Sequence, residues 1–265
     1  MRLSRLCCIL AAAGAAAPAG AATLGPHRAV YDLSLASQTQ DIVSAEGRIA
    51  FDLTMPECGV YALDYRFVAR FGQESETTLT DQRVVTREGT DGRSFEFEAW
   101  TYVDGMQQAH VKGSASSEGE VTTVETELPG ERSFDLPLSQ FPLGHTAALI
   151  EAAQGGERIA QLALFDGDED AEKLLTTTSI LLPVGSGTQK NGPVGEGLAG
   201  MDSWKVDESY FNSDSDADGL PIFHTRYTLF ENGVSDDIFM DFGDYALQGS
   251  LSELTLGSAP ADCES

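Results

Sequence analysis

Cysteine is scarce in this 265-residue chain, which has four, and two of those, Cys7 and Cys8, fall in a segment that reads as a removable leader. Basic residues are few as well, 16 against 42 acidic ones, giving a formal net charge of −26 at pH 7. So acidic a surface repels phosphate backbones and anionic lipid heads, which argues against nucleic-acid binding and electrostatic docking on membranes. Past the leader, no apolar run reaches the roughly 20 residues that a bilayer-spanning helix needs. No fixed-period repeat is present. Catalytic signatures are missing too: His27, His110, His145 and His224 are well separated, with no H-E-x-x-H pair and no G-x-S-x-G elbow. No cofactor fingerprint or metal-ligand spacing stands out, and a non-enzymatic protein is the expectation.

What the chain does have begins with the leader. Met1 to Leu6 carries Arg2 and Arg5, Cys7 to Ala17 is a short apolar run, and Ala19, Gly20, Ala21 and Ala22 are small. This three-part pattern is that of a secretory signal peptide cut near Ala21 or Ala22, assigned here to residues 1–22. Cys7 and Cys8 precede the apolar core and would leave with it, as would Arg2 and Arg5, making the exported chain more acidic still.

Cys58 and Cys263 would remain, in an oxidising compartment where a disulfide is expected if geometry allows. They stand far apart in sequence, and in the chain-entropy model so long a loop contributes on the order of 5 kcal/mol as an upper figure. A bridge spanning nearly the whole chain favours one domain over residues 23–265.

Strand periodicity dominates that domain. Ala29, Tyr31, Leu33 and Leu35 alternate with polar residues; so do Ile49, Phe51 and Leu53, then Tyr61, Leu63, Tyr65 and Phe67, then Phe95, Phe97 and Ala99. Further strands are expected at 76–87, 107–113, 120–127, 158–165, 173–182, 203–210, 222–230, 237–247 and 249–256. Asp104-Gly105 and Asn232-Gly233 lie between such runs, where glycine accepts the positive φ of tight hairpins. The expected fold is all-β: a long, highly coiled antiparallel sheet of roughly a dozen or more strands, since strands of about 10 residues in one sheet must twist. One helix is expected at 144–154, stopped by Gly155-Gly156, either plugging a concave apolar face or running outside as a connector. Residues 183–200 are Gly-rich and aperiodic and read as a long loop.

The sharpest metal signal is Asp214-Ser-Asp216-Ala-Asp218-Gly219 in the acidic loop 212–220, which matches the opening of a calcium loop. The match fails at the twelfth position, where a bidentate glutamate is needed and Thr225 stands. Asp166, Asp168, Glu169 and Asp170 invite the same thought with less support. No metal site is therefore assigned. Carboxylate pairs suited to glycoside chemistry are uninformative in so acidic a chain.

Several ordered motifs then carry a resemblance. Pro26-His-Arg-Ala-Val-Tyr-Asp-Leu-Ser-Leu35, Gly47-Arg-Ile-Ala-Phe-Asp-Leu53, Asp135-Leu-Pro with Phe141-Pro and His145, Leu229-Phe-Glu-Asn-Gly-Val-Ser-Asp-Asp237 and Asp241-Phe-Gly-Asp-Tyr-Ala-Leu247 resemble the EipB-type cell-envelope integrity proteins from about Pro26 to Cys263. The resemblance implies a periplasmic β-spiral with one disulfide, falling here on Cys58 and Cys263, and a role in envelope integrity. It also implies likeness in shape to periplasmic lipoprotein carriers, an analogy by fold. A lipid, lipoprotein, peptide or periplasmic protein partner is expected, with Tyr61, Tyr65, Phe67, Phe95 and Phe97 as the candidate apolar concave face. Most alternating apolar faces simply meet each other, so filled core is the better reading of the same residues. Two rival readings stand beside this one: an envelope hydrolase acting on peptidoglycan or glycan, and a structural scaffold.

Overall fold

The computed structural model describes residues 22–39, 41–167, 174–186, 190–212 and 219–263. The expected leader, Ala22 excepted, lies outside the described residues, as do Asp214, Asp216, Asp218, Asp168, Glu169 and Asp170.

The chain is all-β with two helices. Eight strands come first: β1 (His27–Leu35), β2 (Ser44–Glu57), β3 (Val60–Gly72), β4 (Thr77–Gly89), β5 (Ser94–Val103), β6 (Met106–Glu118), β7 (Val121–Leu128) and β8 (Arg132–Pro137). Helix α1 (Pro142–Gln154) follows, then β9 (Ile159–Leu164), β10 (Leu175–Ser186), the short helix α2 (Gly192–Gly197), β11 (Asp202–Asn212), β12 (Phe223–Phe230), β13 (Ser235–Asp241) and β14 (Ala246–Leu256). All fourteen strands form one antiparallel sheet in the order 8-7-6-5-4-3-2-1-14-13-12-11-10-9. Two meanders thus meet where β1 pairs with β14, over His27↔Leu256 to Leu35↔Leu247. The sheet's edges are β8 and β9, consecutive in sequence and separated by α1.

Those edges nearly touch. The Gln140 N–H donates to Ala163 O (2.8 Å) and the Phe165 N–H to Gln140 O (3.0 Å), so the coiled sheet becomes an almost closed ring. Tight curvature shows at Gly47 and Gly113, where a Cβ would lie 2.4 Å from Val68 O and 2.5 Å from Glu125 O. Only glycine permits that backbone approach.

Alternation sorts each strand into two faces. Outward positions of β1 to β4 carry cross-strand ion pairs, Arg48 with Asp32, Arg66 with Asp81 and Arg83 with Asp64, all exposed and each worth well under ~1 kcal/mol. Inward positions build three apolar clusters. One joins β1, β2, β3 and β14 to α2 through Tyr31, Ile49, Phe67, Phe71, Leu198 and Leu251. A second surrounds α1, whose Leu149 and Ile150 are fully buried against Leu53 and Leu63 on one wall and Leu181, Val206 and Leu229 on the opposite wall. A third stacks Phe95, Phe97, Phe141 and Phe165. Because α1 touches strands half a circuit apart, it plugs the ring and is not an external connector. Burying each large aliphatic side chain there contributes about 1.5–3 kcal/mol.

Cys58, in the β2–β3 turn, and Cys263, in a 3-10 turn at Ala261–Cys263, form a disulfide with Cα atoms 5.2 Å apart across a sequence separation of 205. The tail after β14 is also held by the Gly257 N–H donating to Pro26 O at 2.7 Å.

Two local expectations differ from the structure. The run read as one strand over 237–247 is cut by a turn in which the Phe242 N–H donates to Tyr245 O and Gly243 sits at φ +87. The Gly-rich stretch 183–200 is no long loop, because β10 runs to Ser186 and α2 follows. Packing overrides weak propensity there: Val194 and Leu198 are buried, and the Lys190 ammonium donates to Leu251 O (2.9 Å) and pairs with Asp236 (3.1 Å).

Candidate functional site

Inside the ring lie two adjoining cavity lobes of ≈ 520 and ≈ 390 Å³ that share Pro142, Thr146, Tyr210, Phe223 and Tyr227 as walls. The larger is polar on one side. Its centre is Glu208, 0% exposed, which stands at an inward register position of β11 between Val206 and Tyr210. Pairing aligns Ser179, Glu208 and Thr225 in one row across β10, β11 and β12, and Thr177, Tyr210 and Phe223 in the next. His145 enters from the first turn of α1.

These rows satisfy the carboxylate completely. Glu208 Oε1 accepts from the Ser179 hydroxyl (2.8 Å) and lies 3.2 Å from His145 Nε2; Oε2 accepts from the hydroxyls of Tyr210 (3.0 Å) and Tyr227 (3.1 Å). His145 Nε2 is also 3.0 Å from Thr177 Oγ1. Burial works against the Glu208 charge, but hydrogen bonding and attraction from His145, aided by Ser179 and Tyr210, outweigh it and hold the carboxyl below its ordinary range. Burial, followed by the Glu208 charge, raises Tyr210 and Tyr227 well above 10. Both phenols therefore stay protonated and act as donors.

The smaller lobe is mostly apolar, walled by Phe51, Leu53, Leu63, Tyr65, Ile238 and Met240. His27 lies there, stacked on Phe51 with centroids 5.1 Å apart, its Nδ1 2.7 Å from Gly25 O. Burial lowers its pKa and favours the neutral ring. Burial also pushes the Tyr65 hydroxyl up to about 12.

The larger lobe opens past a file of rings, Tyr210 to Phe223 (5.3 Å), Phe223 to Phe242 (5.0 Å) and Phe242 to Tyr245 (4.9 Å). Phe242 is 38% exposed and Ile222 47%. Apolar side chains thus line a path from solvent to a lumen with one buried, internally satisfied anion in its wall.

A separate pocket of ≈ 290 Å³ lies on the other side of α1, lined among others by Ala22, Tyr61, Glu88, Asp91, Gly144 and Glu151. Helix α1 has Phe141 at its N-cap and no capping bond from its own side chains. Glu88, at the end of β4 and 1% exposed, supplies that cap by accepting from the N–H groups of Leu143 (2.9 Å) and Gly144 (2.6 Å). Burial outweighs those two bonds and pushes its pKa from 4.5 up to about 7.

Of the five aromatics proposed for a concave face, the structure brings Tyr65 alone to the lumen. Tyr61 packs beside α1 with its hydroxyl accepting the Leu24 N–H (2.8 Å), Phe67 joins the cluster under α2, and Phe95 and Phe97 stack with Phe141 and Phe165. The lumen residues that sequence reading passed over, Glu208, Tyr210, Phe223 and Tyr227, had one signal: a glutamate where the alternation Trp204, Val206, Tyr210 calls for an apolar side chain. Asp166 lines the larger lobe. His110 and His224 pair on the outside with Glu98 (2.9 Å) and Asp207 (2.7 Å). Among the described residues no group of three or more His, Cys, Asp or Glu is placed to hold a metal ion, and no helix is long and apolar enough to cross a membrane.

Comparison with known proteins agrees with this architecture. A family model described as EipB-like matches residues 18–257. The cell envelope integrity protein EipB of Brucella abortus (strain 2308) is 35% identical over 252 residues, covering 92% of this chain and 88% of that protein. A crystal structure of a beta-barrel-like protein of domain of unknown function DUF1849, also from Brucella abortus, superposes with a TM-score of 0.82 at 32% identity, covering 90% of this chain and 100% of the other.

Proposed function

The chain belongs to the EipB-like family, and from that premise we propose that it is an exported, periplasmic protein that supports cell-envelope integrity by holding an apolar or amphipathic ligand in its lumen, without catalysing a reaction. The observation that carries this reading is the lumen itself: two lobes of ≈ 520 and ≈ 390 Å³ behind a mouth of exposed Phe242 and Ile222. Cavities of that size, mostly apolar with a few convergent polar groups, are the usual form of small-molecule sites. An extended apolar chain suits the smaller lobe, and a hydroxyl or amide suits the phenol-lined one. Export is supported by the leader pattern and by the Cys58–Cys263 bridge, which an oxidising compartment maintains. The non-enzymatic reading is supported by Glu208, whose two carboxylate oxygens are engaged by Ser179, His145, Tyr210 and Tyr227.

Native mass spectrometry of protein recovered from the periplasm tests this. A co-purifying lipid or peptide mass, and displacement of the apolar probe 1-N-phenylnaphthylamine by the extracted ligand, are expected; both should be lost in Phe242→Asp. Empty protein with no probe binding overturns the lumen reading. Release of muropeptides by the pure protein overturns the non-enzymatic one. A deletion strain that withstands detergents and cell-wall antibiotics normally counts against the envelope role.

A further inference from the structure

The first residues of the described chain are pinned more firmly than a terminal strap needs to be. Gly25 N–H donates to Asn232 O (2.9 Å) in the β12–β13 turn, and Leu24 N–H to the Tyr61 hydroxyl (2.8 Å) on β3, with the Leu24 side chain fully buried. Ala22 N–H donates to Glu151 Oε1 (2.7 Å) on the last turn of α1. Three successive anchors therefore reach three different parts of the ring, and the outermost ends on a carboxylate.

The sequence just before that anchor is Ala19-Gly20-Ala21. Small residues at the third and first positions before a cut are the recognition pattern of leader peptidases. Cutting after Ala21 would leave all three anchors in place; cutting after Ala22 would remove the one on Glu151. Beside Glu88, the pocket that Ala22 lines carries Asp91 and Glu151, and no basic side chain is among its lining residues. A cation on Glu151 lies beside the last turn of α1, near the negative end of its dipole.

We infer that the leader is removed between Ala21 and Ala22, and that Glu151 receives the α-ammonium so formed, making export processing the step that latches the N-terminus onto the plug helix. A leader peptidase and one water suffice. The C–N bond between Ala21 and Ala22 breaks, the water oxygen and one hydrogen go to the Ala21 carbonyl carbon, and the other hydrogen goes to the Ala22 nitrogen. The amine then takes a proton from solvent at neutral pH. The neutral amide donor at 2.7 Å becomes a charge-assisted one. The inference rests on the export reading above, and its test separates the two.

The full chain is expressed with its leader in a Gram-negative host and recovered from periplasm and cytoplasm. Intact mass and N-terminal sequencing give the first residue, and NMR titration of the processed protein follows its α-amine. Expected are a chain beginning at Ala22 and an amine titrating above the usual 7.7–8.0. At pH 7 an amine-selective reagent should then modify the terminus about two- to tenfold more slowly than in Glu151→Gln. Unprocessed protein confined to the cytoplasm overturns the export reading and this inference with it. Processed protein beginning at another residue overturns the cut site and the latch on Glu151, and leaves the export reading standing. A chain beginning at Ala22 whose amine titrates normally, or reacts equally fast in both proteins, overturns the latch.

Discussion

Glu88 sets two strong effects against each other, and its titration decides which wins. Two N–H donors at a helix N-terminus favour the ionised carboxylate, while near-complete burial favours the acid. Burial is the larger, with the pKa raised from 4.5 to about 7. A native pKa above the unfolded one means that the folded protein binds the proton more tightly. The resulting stabilisation is fully present below about pH 4.5 and is lost as pH rises through about 7. That rise corresponds to about 3 kcal/mol at most. Glu88→Gln is isosteric with the protonated acid, keeps one acceptor for Leu143 or Gly144, and does not titrate. Urea unfolding of both proteins at pH 5 and pH 8 isolates the group, because the background titration of so acidic a chain cancels in the difference. At pH 5 the two should be within about 1 kcal/mol, the scale of a single hydrogen bond. By pH 8 the variant should have gained up to about 3 kcal/mol on the parent. A difference that does not change with pH, or a parent that gains as pH rises, refutes the reasoning and makes Glu88 an ionised helix cap.

Three other outcomes follow from the same geometry. Glu208→Ala leaves Ser179, Tyr210, Tyr227 and His145 without their shared acceptor, so unfolding free energy should drop by about 3 kcal/mol or more, and Glu208→Gln should cost less; equal losses in urea melts would count against the network. Replacing Cys58 and Cys263 together by serine should lower stability by up to roughly 5 kcal/mol, and reductant should no longer shift the melting curve. In hydrogen exchange, the amides of Gln140 and Phe165 at the β8–β9 seam, held by two bonds, should exchange before those joining β1 to β14; the reverse order would mean that the ring opens at its other junction.

The sheet was legible because period-two alternation in Ala29 to Leu35, Ile49 to Leu53 and Tyr61 to Phe67 reports a property of single strands. The helix was legible from Gly144 onward, and its earlier start reflects Pro142, which suits a first turn. What alternation cannot report is which inward side chains meet. Phe95, Phe97 and Tyr65 share one pattern, yet the stacking of Phe141 and Phe165 fills the space under the first two, while the third lines the smaller cavity lobe. The turn at Phe242 to Tyr245 was invisible because Ile238, Met240 and Phe242 keep the alternation running into it. Glu208 could have been flagged as an acid in an inward register; its four partners come from β10, α1, β12 and its own strand, brought together by the pairing of β10, β11 and β12 and by the seating of α1 inside the ring.

Closure at the two junctions of the ring is unequal. Where the two halves of the chain meet, β1 and β14 pair along their length and the Cys58–Cys263 bridge ties the tail to the β2–β3 turn. At the seam, among the described residues, the segment after β8 is joined to the β9 edge by the two backbone bonds of Gln140. Helix α1 leaves the chain at that seam and crosses to both walls, and its Pro142 and Thr146 face both cavity lobes. A displacement of α1 therefore changes both lobes and both flanks of the seam together. Each end of the helix is fastened by one carboxylate to backbone N–H groups: Glu88 holds Leu143 and Gly144 at the start, and Glu151 holds Ala22 near the finish. Bonds of that kind are worth about 1–3 kcal/mol each, small beside the apolar burial of Leu149 and Ile150. The apolar contacts hold α1 inside the ring, and the bonds of Glu88 and Glu151 fasten its two ends.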